Sequence, residues 1–268
     1  MKIVDAIINH VKSVTDIVPD AAIIVTSGFK NIQKKIEDAV TIKLSDIKGL
    51  PLISKDQKNK LVFGKMAGKN VVVMVGRMHS YFDYAPDEYA SLIFAMKEMG
   101  CRGLITCTGV GAVDRKYNVG DIFIANDYIN FSGDSALDGL NEDTYGNKYF
   151  DISTPYCVDC IAKAKMVAKK LGYKVREGVL AEFRGPQSET AAEVRMAHLM
   201  GASAIGSHII NETVLARYCG LRVMTINLIT NYASGISMSK VKYEDIHYNL
   251  DVSTDYFSEY IEEVLKVL

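Results

Sequence analysis

The chain has no tryptophan, only five prolines and no uninterrupted apolar run of membrane-spanning length in its 268 residues. A helical membrane span needs about 20 consecutive apolar residues, so none is expected, and prolines this scattered mark no linker. Charge of one sign is also missing: 31 basic residues face 32 acidic ones, a formal net charge of -1. That balance leaves no electrostatic footprint for nucleic acid or an anionic membrane, and points to a small ligand. The start, Met1-Lys2-Ile3-Val4-Asp5, lacks the basic region and apolar stretch of an export signal. Five cysteines, an odd number, sit in a chain large enough not to need staples. Reduced thiols and a cytoplasmic location are therefore expected. Cys157 and Cys160 form a C-x-x-C pair, but no second pair follows at zinc-ligand spacing, so the pair reads as the start of a helix and no metal is expected.

What is present is 49% hydrophobic and 24% charged content, enough for a large core. Short apolar runs at 22–26, 70–75, 103–108, 121–125, 178–181 and 222–228 read as buried strands. Between them, 87–99, 156–171 and 188–200 carry apolar residues at helical spacing and end at Gly100, Gly172 and Gly201. From Ser253 onward, Tyr256, Tyr260, Ile261, Val264, Leu265 and Leu268 form one helical stripe. The rhythm predicts an α/β fold: a single domain over 1–268 with a mixed, mostly parallel β-sheet flanked by helices. The polar segment 132–147 is a long loop, a length usually kept for function or left disordered, and function is favoured.

Four clusters follow predicted strands, where open α/β sheets place ligands. Thr26-Ser27-Gly28 offers a hydroxyl and backbone N–H groups to an anion, or is an ordinary turn. Gly76-Arg77-Met78-His79 puts a guanidinium and an imidazole two residues apart, facing one way on an extended segment, so both can grip one phosphate. Thr106-Cys107-Thr108-Gly109-Val110-Gly111 permits close backbone approach but lacks a Walker lysine and the dinucleotide spacing. Arg184-Gly185-Pro186-Gln187-Ser188-Glu189-Thr190 leads into a helix, where Ser188 and Glu189 serve equally well as cap and dipole partner or as chemistry. Downstream, Thr225 to Asn231 ends a buried strand in a polar pair.

In this order the clusters resemble the trimeric purine nucleoside phosphorylases, a family that includes the methylthioadenosine phosphorylases. The likeness runs from about Ala22 to about Ile246. Leu61-Val62-Phe63-Gly64, Gly76-Arg77-Met78-His79-Ser80-Tyr81 and Val119-Gly120-Asp121-Ile122 resemble L-V-F-G, G-R-x-H-x-Y and V-G-D-I. Gly185 to Thr190, Glu212 to Arg217 and Leu228-Ile229-Thr230-Asn231 resemble G-P-S-[FY]-E-T, E-x-x-x-A-R and L-I-T-N.

The resemblance implies the nucleoside phosphorylase fold and cleavage of 6-oxopurine nucleosides, with inorganic phosphate as co-substrate and no metal or organic cofactor. It implies that Ser27, Arg77, His79 and the Thr108-Gly109 backbone hold phosphate, and that Glu189 and Asn231 bind the purine. Tyr81 would line the ribose site. Tyr145 would reach into a neighbouring subunit's pocket in a homotrimer.

Departures cluster in the same site. The phosphate turn G-S-G-x-G is Thr26-Ser27-Gly28-Phe29-Lys30, and a family histidine is Gln57. Ser188 replaces a base-stacking aromatic, and Ser207 a methionine that packs on ribose. His208 replaces a phosphate-binding serine, and Tyr243 a histidine that meets the 5′-hydroxyl. An imidazolium at His208 would make activity fall as pH rises past its pKa. A purine-binding homologue with weakened catalysis, or a phosphorylase of altered specificity such as one for methylthioadenosine, is the competing expectation.

Overall fold

The computed structural model describes residues 2–53, 58–79, 81–82, 84–140 and 145–268, the side chains of Ser27 and Lys30 excepted. At its centre the run Ala-Ala-Ile-Ile-Val forms β1 (Ala21–Val25). It lies parallel between β4 (Lys69–Val75) and β5 (Gly103–Cys107), and β10 (Arg222–Tyr232) follows parallel to β5. Continuous apolar runs suit these positions because helices cover both faces of the sheet.

One side is extended by a meander: β2 (Glu37–Lys43) and β3 (Lys60–Met66) pair antiparallel with each other, and β3 with β4. On the other side lie β6 (Gly109–Ala112), β7 (Ile122–Asn130), β8 (Val175–Glu182) and β9 (Ala202–Gly206). The order is β2-β3-β4-β1-β5-β10-β6-β9-β8-β7, and β10 also pairs with β7. The strands β10, β6, β9, β8 and β7 thus close on themselves, which removes their free edges. Six of the pairings are parallel and four antiparallel, in keeping with the expected mixed sheet.

Among the described residues six α-helices surround it: α1 (Lys2–Val14), α2 (Pro86–Glu98), α3 (Val158–Leu171), α4 (Ala191–Leu199), α5 (Ile210–Tyr218) and α6 (Tyr243–Val267). Two helix boundaries move by three residues or more from their expected places. The helix placed at 188–200 starts only at Ala191, because Thr190 is its cap: the Thr190 hydroxyl accepts from Glu193 N (3.2 Å), and Glu193 Oε2 accepts from Thr190 N (2.7 Å). This closed capping box leaves Ser188 and Glu189 outside the helix. The C-terminal helix begins at Tyr243 rather than Ser253, and its stripe docks as expected, with Tyr260, Ile261 and Val264 fully buried.

The expectation of reduced thiols holds for the buried Cys101, Cys107 and Cys219. Cys157 and Cys160 correct it, being joined by a disulfide across the first turn of α3. The helix reading of that segment stands, with Cys157 as the cap. Among the described residues no helix is long and apolar enough to cross a membrane.

Candidate active site

The strand ends open into a cavity of about 340 Å³. It is lined by Arg77, His79 and Tyr81 from beyond β4, Thr108 and Gly109 from beyond β5, and Ser207 and His208 from beyond β9. Ser188 and Glu189 come from the turn before α4, Asn231 from β10, and Tyr243 and His247 from α6. Arg77 and His79 therefore share one chamber with Glu189 and Asn231, although more than 100 residues separate the members of each cross-pair.

Each wall has a local cause. β4 stops at Gly76, whose φ of 89° is the left-handed region that favours glycine, and where a Cβ would collide with the Asn59 side chain. Asn59 Nδ2 donates to Arg77 O (3.0 Å) and so fixes the turn that aims the guanidinium. Gly28 remains from the phosphate turn because α6 crosses it: a Cβ there would meet Leu250 at 2.7 Å. Next to it Phe29 stacks on Phe257 of α6, ring centroids 4.3 Å apart. Ser27 opens the 3₁₀ segment Ser27–Lys35, but its side chain, like all of Gln57, lies outside the described residues.

Asn231 is aimed by a β-bulge. Opposite β6, Ile229 pairs with Val110 and Asn231 with Gly111, so Thr230 is an extra residue that re-aims its successor. The buried Thr230 hydroxyl donates to Asn231 Oδ1 (2.8 Å), while Asn231 Nδ2 donates to Tyr232 O (3.0 Å). With those partners set, one Nδ2 hydrogen of the amide is left over.

Behind the cavity lies a charged layer that sequence reasoning missed. Arg77, 4% exposed, pairs with Glu212 of α5 through Nε to Oε1 (3.1 Å) and Nη2 to Oε2 (3.3 Å). Glu182, at the end of β8, accepts from the N–H groups of Ile209 (2.6 Å) and Ile210 (2.8 Å). It thereby caps α5 and anchors the turn that presents His208. Burial raises the pKa of both carboxyls to about 7, against the pull of Arg77. The resemblance had already singled out Glu212 as a motif residue, but nothing in the sequence marked it as the partner of Arg77.

His208 sits edge-on to His79 (4.6 Å) and Tyr81 (4.8 Å), and His79 stacks on Tyr81 (5.0 Å). Burial first, then the charges of His79 and Arg77, push the His208 pKa down to about 3. Its ring is neutral near pH 7, so the expected loss of activity on crossing the ordinary imidazole pKa is not assigned to it; a neutral ring still offers one N–H.

The sign of the stability effect follows. A base whose folded pKa lies below its unfolded value of about 6.5 supports folding above that pH and loses the contribution as pH falls toward about 3. The two carboxyls act oppositely: their contribution is complete below about 4.5 and is lost as pH rises through about 7. His208→Asn is thus expected to flatten the fall of the unfolding free energy, measured by urea titration, between pH 6.5 and 4, by up to about 1.4 kcal/mol per pH unit. An unchanged slope in the variant would refute the buried neutral ring.

Burial, helped by the charge of Glu193, raises the pKa of Glu189. Ser188 is exposed and supplies no ring. Tyr243 is 71% exposed, with its ring 4.3 Å from that of His247 one helical turn on. His247 was missed, although i,i+4 spacing from Tyr243 would have marked it as a neighbour. Tyr145 does not line this cavity: its hydroxyl donates to Glu98 (2.8 Å) and its ring packs on Phe94 (4.7 Å) in its own chain. Among the described residues no group of three or more His, Cys, Asp or Glu is placed to hold a metal ion.

Likeness to known proteins runs along nearly the whole chain. The sequence profile of the phosphorylase superfamily matches residues 20–266. The chain is 35% identical over 229 residues to purine nucleoside phosphorylase 1 of Geobacillus stearothermophilus, covering 85% of this chain and 84% of that one. Two solved structures, a schistosoma purine nucleoside phosphorylase in complex with hypoxanthine and the Schistosoma mansoni enzyme in complex with adenosine, each superpose with a TM-score of 0.94 at 30% identity. Each alignment covers 100% of this chain and 98% of its neighbour. With profile, sequence and fold in agreement over nearly the whole length, the chain belongs to the phosphorylase superfamily and, within it, to the purine nucleoside phosphorylases, which are pentosyltransferases.

Proposed function

We propose that this chain cleaves the N-glycosidic bond of 6-oxopurine ribo- or deoxyribonucleosides, inosine and guanosine, with inorganic phosphate, as a cytoplasmic homotrimer. The observation that carries the reading is the single cavity holding a guanidinium and an imidazole, Arg77 and His79, beside a carboxyl and an amide, Glu189 and Asn231.

In this reading phosphate lies against Arg77, His79, His208, the Ser27 hydroxyl and the Thr108-Gly109 backbone. One of its oxygens forms the new bond to the anomeric carbon while the bond from that carbon to the purine breaks, its electron pair leaving with the base. The sugar passes through an oxocarbenium-like state, and the phosphate charge beneath it supports the developing cation. The remaining Nδ2 hydrogen of Asn231 donates to purine N7 and takes up the charge of the leaving base. Glu189 accepts from N1–H. Tyr81, Ser207, Tyr243 and the newly found His247 face the sugar. In the trimer, the segment carrying Tyr145 meets the neighbouring subunit's pocket.

A 6-amino base has no proton on N1, so it leaves Glu189 facing an acceptor. A fully desolvated site of this kind discriminates by about four to five orders of magnitude. Glu189 is only partly buried, so water relieves the mismatch and about a hundredfold preference in kcat/KM for inosine over adenosine is expected. The complex of the Schistosoma mansoni relative with adenosine makes turnover, not binding, the quantity to compare. Phosphate-dependent release of hypoxanthine and adenine should be followed side by side, with Glu189→Ala expected to erase the preference. Equal or better use of adenosine would overturn the specificity, and cleavage without phosphate would overturn the reaction.

A further inference from the structure

At the opposite end of the sheet, under the starts of the parallel strands, lies a second cavity of about 310 Å³. β4, β1, β5 and β10 lie side by side there. Lys69 is the first residue of β4, Asp20 and Arg102 immediately precede β1 and β5, and Arg222 begins β10. Register keeps these ends level: Ala21 pairs with Val71 and with Gly103, and Arg222 pairs with Gly103. Neighbouring strands are about 4.8 Å apart, so three cationic side chains and one carboxylate side chain stand along one rim.

The carboxylate is already engaged. Asp20 Oδ1 accepts from Arg102 Nη2 (2.9 Å), and its Oδ2 from Asn70 N (3.2 Å). Among the described residues the side chains of Lys69 and Arg222 have no hydrogen-bond or ion-pair partner. Both line the same cavity, whose floor is Leu104, Ile105, Val223, Met224 and Leu265, each at most 4% exposed.

We propose that this basal cavity is a second ligand site, for a small organic anion whose charged group is held by Arg222 within the positive field that Lys69 adds across the rim, and whose apolar body lies on that floor. The same rim would repel a cation, and a fully apolar molecule would leave the two charges uncompensated. The site is separated from the phosphate-binding chamber by the full length of the central strands, so both can be filled at once.

The probe is 8-anilinonaphthalene-1-sulfonate, a sulfonate with an apolar body, titrated by fluorescence into the intact protein with and without saturating hypoxanthine and phosphate. Saturable binding at one site per chain is expected, with the same affinity under both conditions and a weaker affinity at higher ionic strength. Arg222→Ala should weaken it about tenfold, the loss of one charge-assisted hydrogen bond, and Lys69→Ala with Arg222→Ala by more. Melting temperature and phosphorolysis rate should stay unchanged, which separates loss of the site from loss of the fold. Non-saturable fluorescence, an affinity indifferent to both substitutions, or displacement by hypoxanthine and phosphate would overturn the proposal.

Discussion

Arg77→Ala is expected to lower kcat/KM for phosphate by at least about a thousandfold and to destabilise the protein at the same time. The two losses have different origins. In the proposed reaction activity falls because Arg77, the only guanidinium among the described residues that line the cavity, is what positions the attacking anion, and positioning together with preorganised charge supplies most of the acceleration in such transfers. Stability falls because Glu212, 5% exposed, loses the partner that holds it at 3.1 Å. Breaking a buried pair by removing one member costs about 3–5 kcal/mol, whereas replacing both by apolar residues of similar volume is often nearly neutral. The double variant Arg77→Met with Glu212→Leu should therefore recover most of the melting temperature and none of the activity. If it recovers both, Arg77 is structural and the phosphate assignment fails.

Asn231→Ala is expected to lower kcat by about 10²–10³, the range for removing one preorganised donor to a developing negative charge, with a small change in KM for nucleoside. The bulge adds a second readout. Thr230→Val keeps the shape of the buried side chain but removes the hydroxyl that orients the amide, so it should reduce kcat by about tenfold. Because it acts only through Asn231, it should add nothing further in an Asn231→Ala background, as a double-mutant cycle would show. Independent, multiplying effects would mean that Thr230 does not act by orienting Asn231.

The legible parts of the fold share a physical property. β1, β4, β5 and β10 are buried on both faces, so their apolar runs stand out in one dimension. β6 (Gly-Val-Gly-Ala) and β9 (Ala-Ser-Ala-Ile-Gly) are built from small residues, which fit where strands close into a ring but carry no strong strand preference. The cap of α4 was written in the sequence as Thr190-x-x-Glu193; Ser188 and Glu189 compete for the same reading, and only the backbone shows which pair closes the box. The first turns of α6 escaped because Tyr243 and Tyr248 are exposed and interrupt the apolar stripe.

By itself the sequence determined the strand-and-helix alternation and the family, and it offered candidate side chains for an oxyanion and a purine, because those are properties of composition, short motifs and local periodicity. Tertiary structure decided that Arg77, His79, Glu189 and Asn231 face one chamber, that Glu212 holds Arg77 and that Glu182 caps α5. It also placed His247 at the cavity and gathered three cations at the far end of the sheet. Each of these depends on strand register, a one-residue bulge or the shared burial of charges remote in sequence, and the energies that select them exist only once the chain has closed on itself.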